Sequence, residues 1–254
     1  MDLQLKDKRA LVCGASQGLG LAIAEALARE GCVVGLLARN GEKLKAEAAK
    51  LGNTAVALPA DMGDWPSISA ALAKFGAPSI LVNNTGGPPA GDVTKVDPDM
   101  WRQQFEGQVL NQMRLTEAVL PAMRTAKFGR ILTISSTAVV EPFAYLPIGN
   151  ALRAALATWM KTLAGEVARD GITVNTLLPG SFDTERVEKL NASQAAARGA
   201  NVETIIAESL VEIPVGRYGD PKEFAAVAAF LASPLASYVT GQMIRIDGGA
   251  TRSV

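Results

Sequence analysis

The chain has 254 residues, 48% hydrophobic and 20% charged, with 25 Lys and Arg against 25 Asp and Glu and a formal net charge of zero. That length suits one α/β domain whose core needs no disulfide or metal staple. The balanced charge argues against a nucleic-acid binder, which carries a basic surplus, and the apolar content argues against disorder.

There is no histidine. Its absence removes the commonest general base and metal ligand, so Ser-His-Asp and His-based zinc chemistry are excluded and no metal site is expected. Cys13 and Cys32 each lie beside an apolar run. Two cysteines are too few for a disulfide framework and read as buried thiols in a reducing compartment. The N-terminal stretch MDLQLKDKRALVCG carries charges where a signal peptide needs its apolar core. No apolar run reaches the ~18 residues of a membrane span. A cytoplasmic location without membrane contact is expected.

Short apolar runs alternate with longer amphipathic stretches along the chain. The strand Arg9–Cys13 leads to a helix over Gly18–Glu30, Cys32–Leu37 to a helix over Glu42–Leu51, and Ala55–Leu58 to one over Trp65–Phe75. Ile80–Asn83 precedes a long helix over Pro98–Met123, started by Asp97-Pro98, and Ile131–Ser135 precedes a helix over Asn150–Arg169. Thr173–Leu178, a helix over Pro221–Ala232 and the strand Met243–Ile246 complete the series. The strands are almost continuously apolar, as expected where both faces are covered. This alternation implies a single-domain, Rossmann-like, doubly wound parallel sheet of about seven strands with helices on both faces, spanning 1–254. The segment Thr184–Gly219, with about two short helices and a break at Pro214, reads as a substrate lid within that domain.

The first strand runs into Gly14-Ala15-Ser16-Gln17-Gly18-Leu19-Gly20 and then a helix. Glycines in such a turn let the backbone approach a pyrophosphate, and the helix N-terminus supplies N–H groups and a partial positive charge. The strand–loop–helix context makes the spacing specific for a dinucleotide. The second strand ends Ala38-Arg39. A carboxylate there would hold a ribose 2′-hydroxyl, whereas an arginine can grip a 2′-phosphate. NADP(H) is therefore favoured and NAD(H) stays possible, with Gln17 against the first and a solvated, helix-capping Arg39 as the alternative.

The glycine spacing, Asn83-Asn84-Thr85-Gly86, Ser136 at the end of Ile131–Ser135, Pro179-Gly180…Thr184 and the C-terminal Gly241–Gly249 occur in the order that resembles the short-chain dehydrogenase/reductase family, nearest its acyl-carrier-protein ketoreductase-like branch. The resemblance covers essentially the whole chain. It implies a cofactor set of Gly14, Ser16, Gln17, Gly18, Leu19, Gly20, Arg39, Asp61, Met62, Asn84, Gly86, Arg153, Pro179, Gly180 and Thr184. Asp61 is the implied adenine contact, and Pro179 to Thr184 hold the nicotinamide carboxamide. It also implies a homodimer through the two long helices, or a homotetramer completed by the last strand.

The family's chemistry uses Asn, Ser and a Tyr-x3-Lys pair. Counting from Ser136 and back from Thr173-Val174-Asn175 puts these positions on Gln108, Ser136, Gly149 and Arg153. Gly149 has no proton to give, and Arg153 stays charged rather than acting as a base. Arg153 can still bond ribose hydroxyls, a carboxylate or a phosphate. Tyr145, four residues before Gly149, is a candidate relocated phenol, or it packs on the lid or a subunit neighbour. Asn111 and Asn150 are weaker candidates, with helix-surface and helix-capping roles as alternatives. Arg186, Arg198 and Arg217 are possible anchors for an anionic substrate. These residues leave three readings: an oxidoreductase of a small carbonyl or alcohol with an altered tetrad, a nucleotide-binding sensor or scaffold without turnover, and a non-redox lyase-type enzyme.

Overall fold

The computed structural model describes residues 1–253. Seven parallel strands form one sheet: β1 (Arg9–Cys13), β2 (Val33–Ala38), β3 (Ala55–Pro59), β4 (Ile80–Asn83), β5 (Gly129–Ile134), β6 (Ile172–Pro179) and β7 (Met243–Ile246), in the order β3-β2-β1-β4-β5-β6-β7. The helices are α1 (Gly18–Arg29), α2 (Gly41–Leu51), α3 (Trp65–Phe75), α4 (Pro98–Phe105), α5 (Asn111–Ala126), α6 (Pro147–Val167), α7 (Glu185–Arg198), α8 (Val202–Val211) and α9 (Pro221–Ala232).

Two apolar cores explain why the strands read as continuous apolar runs. On one face, Val12, Val34, Leu36, Val82 and Leu132 meet Ile23 and Leu27 of α1, Leu44 of α2, and Phe224 and Ala228 of α9. On the other, Leu11, Leu37, Leu81 and Ile131 meet Ile68 of α3, Leu115 and Val119 of α5, and Leu156 and Met160 of α6. Successive strand residues point to opposite faces, so both must be apolar. Only the edge strands β3 and β7 are substantially exposed.

Most boundaries fall within three residues of the sequence expectation, and four differences bear on the site. β5 begins at Gly129, not Ile131, because Gly129 pairs with Ile172 and has no room for a side chain beside Met123. β6 starts at Ile172 for the same pairing, and α6 starts at Pro147, a proline at its first position. The helix expected over Pro98–Met123 is broken into α4 and α5 by a π-turn over Glu106–Leu110, which turns Gln108 and Val109 into the interior. π-Turns of this kind cluster at functional sites.

Candidate active site

β1 and β4 are neighbours although β2 and β3 lie between them in sequence. At that switch point a crevice opens beyond the C-terminal strand ends. The loop leaving β1 enters it with Gly14 at φ +61° and Gly18 at φ +56°, a region open to glycine at little cost. A Cβ on Gly14 would lie 2.5 Å from Asn84 Nδ2. The Cys13 thiol is buried beneath the loop, and desolvation pushes its pKa up to about 12, so it is inert. Gln17 stands at the N-cap of α1 without a capping side-chain bond, which leaves the helix's first N–H groups available to an anion. Thr184, capping α7, lies over this loop, its Cγ2 3.6 Å from where a Cβ of Gly18 would sit. No atom lies within 4 Å of a Cβ placed on Gly86, so the crevice is open there. Gly180 packs on the backbone of Asp247 and donates to the Ile246 carbonyl at 3.0 Å. These are features of a cradle that accepts a dinucleotide.

Asp61 follows the edge strand β3, and its Oδ1 accepts from the Gly63 N–H at 2.9 Å. The Met62 carbonyl is taken by Asn111 Nδ2 at 2.9 Å, so Asn111 is a buried brace rather than a surface amide or a site residue. Arg39 is exposed and makes no hydrogen bond or ion pair among the described residues. Asn40 caps α2, accepting from the Lys43 N–H at 3.0 Å, so the helix-capping alternative for Arg39 does not hold. Sequence reasoning missed Lys43. Its Nζ donates to Gln17 Oε1 at 2.9 Å and to Glu185 Oε1 at 3.3 Å, bringing a cation to the glycine loop where residue 17 itself has none. Its place four residues after Arg39, in a capped first turn, was the available signal.

At the other end, the Ser136 hydroxyl oxygen accepts from the Ala138 N–H at 3.1 Å, which leaves its proton free to donate. Gly149 is buried in the first turn of α6. A Cβ there would stand 3.4 Å from Pro88 Cγ. Gln108 donates to Gln104 Oε1 at 2.7 Å, and its backbone carbonyl accepts from Gln112 Nε2 at 2.5 Å. Arg153 Nη1 donates to the carbonyls of Ser135 at 2.6 Å and Ile134 at 3.4 Å. Burial first, and then the charge of Arg186, hold Arg153 down to about 10, so it is a cation at neutral pH.

Tyr145 turns toward α7. Burial raises its phenol pKa, while Gln194 and the charge of Arg186 act in the opposite direction. Asn150 donates to the Phe143 carbonyl at 2.8 Å and so ties down the loop before α6. Of the three arginines in the segment 184–219, Arg198 forms a two-pronged pair with Glu208 and Arg217 another with Glu223, both exposed. Arg186, also exposed, has no acidic partner and donates instead to the Pro88 carbonyl at 3.1 Å.

Residues 14–251 match a family profile described as enoyl-(acyl carrier protein) reductase. The chain belongs to the short-chain dehydrogenase/reductase family. It is 35% identical to the 3-oxoacyl-(acyl-carrier-protein) reductase FabG of Vibrio cholerae over 251 residues, 97% of this chain and 98% of that one. It is also 32% identical to a polyketide synthase ketoacyl reductase from Streptomyces virginiae, over 97% of this chain and 98% of that one. Among solved structures, L-sorbose reductase from Gluconobacter frateurii, complexed with NADPH and L-sorbose, superposes with a TM-score of 0.93 at 31% identity over the whole of both chains. YwfH, an NADPH-dependent reductase of bacilysin biosynthesis, superposes at 0.93 with 28% identity over 98% of this chain and 100% of that one.

In this member of the short-chain dehydrogenase/reductase family, the crevice gathers the glycine loop, Asn84, Thr184, Ser136 and Arg153, while Tyr145 stands beside Arg186 of α7. Among the described residues no helix is long and apolar enough to cross a membrane, and no His, Cys, Asp and Glu cluster could hold a metal. With no histidine, with Cys13 and Cys32 at about 12 and with Arg153 at about 10, the site lacks a shifted group that titrates near neutrality. Initial rates of carbonyl reduction are therefore expected to change less than about threefold from pH 6 to 9, and anion binding to weaken as Arg153 loses its charge through about 10. A tenfold fall per pH unit inside that range would reveal an acid that this geometry lacks.

Proposed function

We propose that the chain is an NADP(H)-dependent reductase of a small carbonyl compound that works without a tyrosine on α6. The observation that carries this reading is an intact nucleotide crevice beside a free Ser136 hydroxyl, with Gly149 where the family resemblance calls for the phenol. The NADPH bound by L-sorbose reductase and the NADPH dependence of YwfH support the cofactor.

When bound, the cofactor supplies the hydride. The first turn of α1 and the Gly14–Gly20 loop hold its pyrophosphate, Asp61 meets the adenine, and Pro179, Gly180 and Thr184 flank the nicotinamide end. Arg39 and Lys43 take the 2′-phosphate. The exposed Lys43–Glu185 pair is worth little and yields to a doubly charged phosphate. Ser136 donates to the substrate oxygen and orients it. Gln108 gives one amide N–H to Gln104 Oε1, and its second N–H helps Ser136 orient that oxygen. The proton on the product oxygen comes from water admitted beside Gly149. The segment 184–219, starting above the glycine loop, covers the substrate. The exposed Tyr238, Leu235 and Met243 near the β7 edge support a homotetramer in which that edge is covered.

A second reading, nucleotide binding without turnover, draws on Pro88, which stands against Gly149 and is pinned by Arg186. The two readings separate when NADPH oxidation is followed across a panel of small ketones, keto acids and keto esters. Turnover is expected with at least one. Tyr145→Phe is expected to leave its rate within about twofold, and Ser136→Ala to lower it about 10- to 100-fold. NADPH binding with no oxidation anywhere in the panel selects the second reading. Arg39→Ala and Lys43→Ala are each expected to weaken NADPH about tenfold in a fluorescence titration while NADH barely changes. Equal effects on both cofactors would remove these two residues from the 2′-phosphate site.

A further inference from the structure

Two arginines converge beside Gly149 without a counter-ion. Arg153 lies one helical turn beyond Gly149 on α6. Arg186 enters from the first turn of α7 and lays its guanidinium on Gly87, where a Cβ would come within 2.7 Å of Nη2. The loop between them is shared: Arg186 bonds the Pro88 carbonyl, and the Pro88 ring faces Gly149. Among the described residues, no carboxylate lies within ion-pair distance of either arginine. Glu212, whose charge reaches Tyr145, forms no ion pair with either arginine, and two further acids are committed elsewhere. Glu185 is held by Lys43 and Lys189, and Glu141 accepts from the backbone N–H groups of Arg252 and Ser253 at 2.9 Å each.

The contrast with Arg130 shows that this is not simply how the fold buries arginine. Arg130 is 2% exposed, donates to the carbonyls of Ser233, Gly129 and Gly171, and stacks on Phe128. Arg153 bonds protein through Nη1 alone, and Arg186 through Nη2 alone. Each guanidinium carries five N–H donors, so most of both sets are unclaimed. Arg186 is exposed, and no nitrogen of the half-buried Arg153 is a sealed, partnerless atom, so the spare donors face accessible space rather than packed core. The half-buried charge of Arg153 beside the like charge of Arg186 destabilises the protein until an anion lies between them.

We propose that Arg153 and Arg186 bind an anionic group on the substrate itself, so that the carbonyl compound reduced here carries a carboxylate or a phosphate next to, or one carbon from, its reacting carbon. The inference rests on the reductase reading for what is reduced, but the anion site stands apart from it. The Ser135 carbonyl that Arg153 grips directly precedes Ser136 in the chain, so an anion on the arginines lies close to the Ser136 hydroxyl. A short oxo acid spans that distance, with its oxygen on Ser136 and its charge on the arginines. A tyrosine on α6 would intrude on the same volume.

The test is binding of unreactive analogues to the NADP⁺-loaded protein by calorimetry. Oxamate carries the carboxylate, oxamide is its neutral counterpart, and inorganic phosphate separates a phosphate site from a carboxylate site. Oxamate or phosphate is expected to bind and oxamide to bind at least tenfold more weakly. Arg186→Gln is expected to weaken the preferred anion about 10- to 100-fold and Arg186→Lys less, because a lysine lacks the two-pronged fork. Arg198→Gln, whose exposed partner is Glu208, is the control and should change nothing. Equal binding of oxamate and oxamide, or an Arg186→Gln variant that loses NADP⁺ affinity as steeply as anion affinity, overturns the proposal; the second result assigns the arginine to the cofactor. Anion binding without NADPH oxidation on any oxo acid would retain the site and refute the reductase reading alone.

Discussion

A side chain at residue 20 would collide with the carbonyl oxygen of Gly14, and one at residue 14 would strike the Asn84 amide. That mutual close packing fixes how α1 leaves β1, and everything else at the crevice depends on it. With the loop held this tightly, the N-terminus of α1 points into the space beyond β1 and β4. Asn84 is drawn over the loop, and Thr184 closes down on Gly18 from the far side of the sheet. The parallel sheet supplies the rigidity, because its central strands are buried on both faces and cannot shift register without exposing one of them.

The two ends of the crevice differ in what they preserve. At the cofactor end, glycine stands wherever a Cβ would obstruct. At the proposed chemical end, α6 carries Gly149 backed by Pro88 and, one turn on, Arg153, which keeps its proton at any physiological pH. The proposed consequence is a shift of burden from proton donation to electrostatics. A substrate that brings its own negative charge relieves the arginines and is positioned by them, and water can then satisfy the alkoxide.

The fold was legible because its signal is local and redundant. Leu11, Val12, Leu36, Leu37, Leu81 and Val82 must be apolar on both sides of the chain, and the Gly14–Gly20 spacing falls between a strand and a helix. The π-turn at Glu106–Leu110 was not legible, since an extra residue in one turn leaves the 3.6-residue pattern intact on either side. Lys43 and Arg186 were only partly legible for another reason. A long side chain's partner is set by which elements meet in space, and nothing in the sequence near Arg198 or Arg217 says that Glu208 and Glu223 neutralise them while Arg186 goes unpaired. Tyr145 shows the same limit: its spacing from Gly149 permits a turn inward, but nothing in the sequence says that it stands beside Arg186 of α7.

The central claim is that hydride transfer survives at a site with no phenol on α6. Incubating the protein with NADPH deuterated at the transferable position of the nicotinamide and a keto-acid substrate, and reading the product by NMR, tests it directly. The account predicts deuterium on the new carbinol carbon of a single enantiomer, in the wild-type protein and equally in Tyr145→Phe. Product without deuterium, or no product while the cofactor is demonstrably bound, would contradict it.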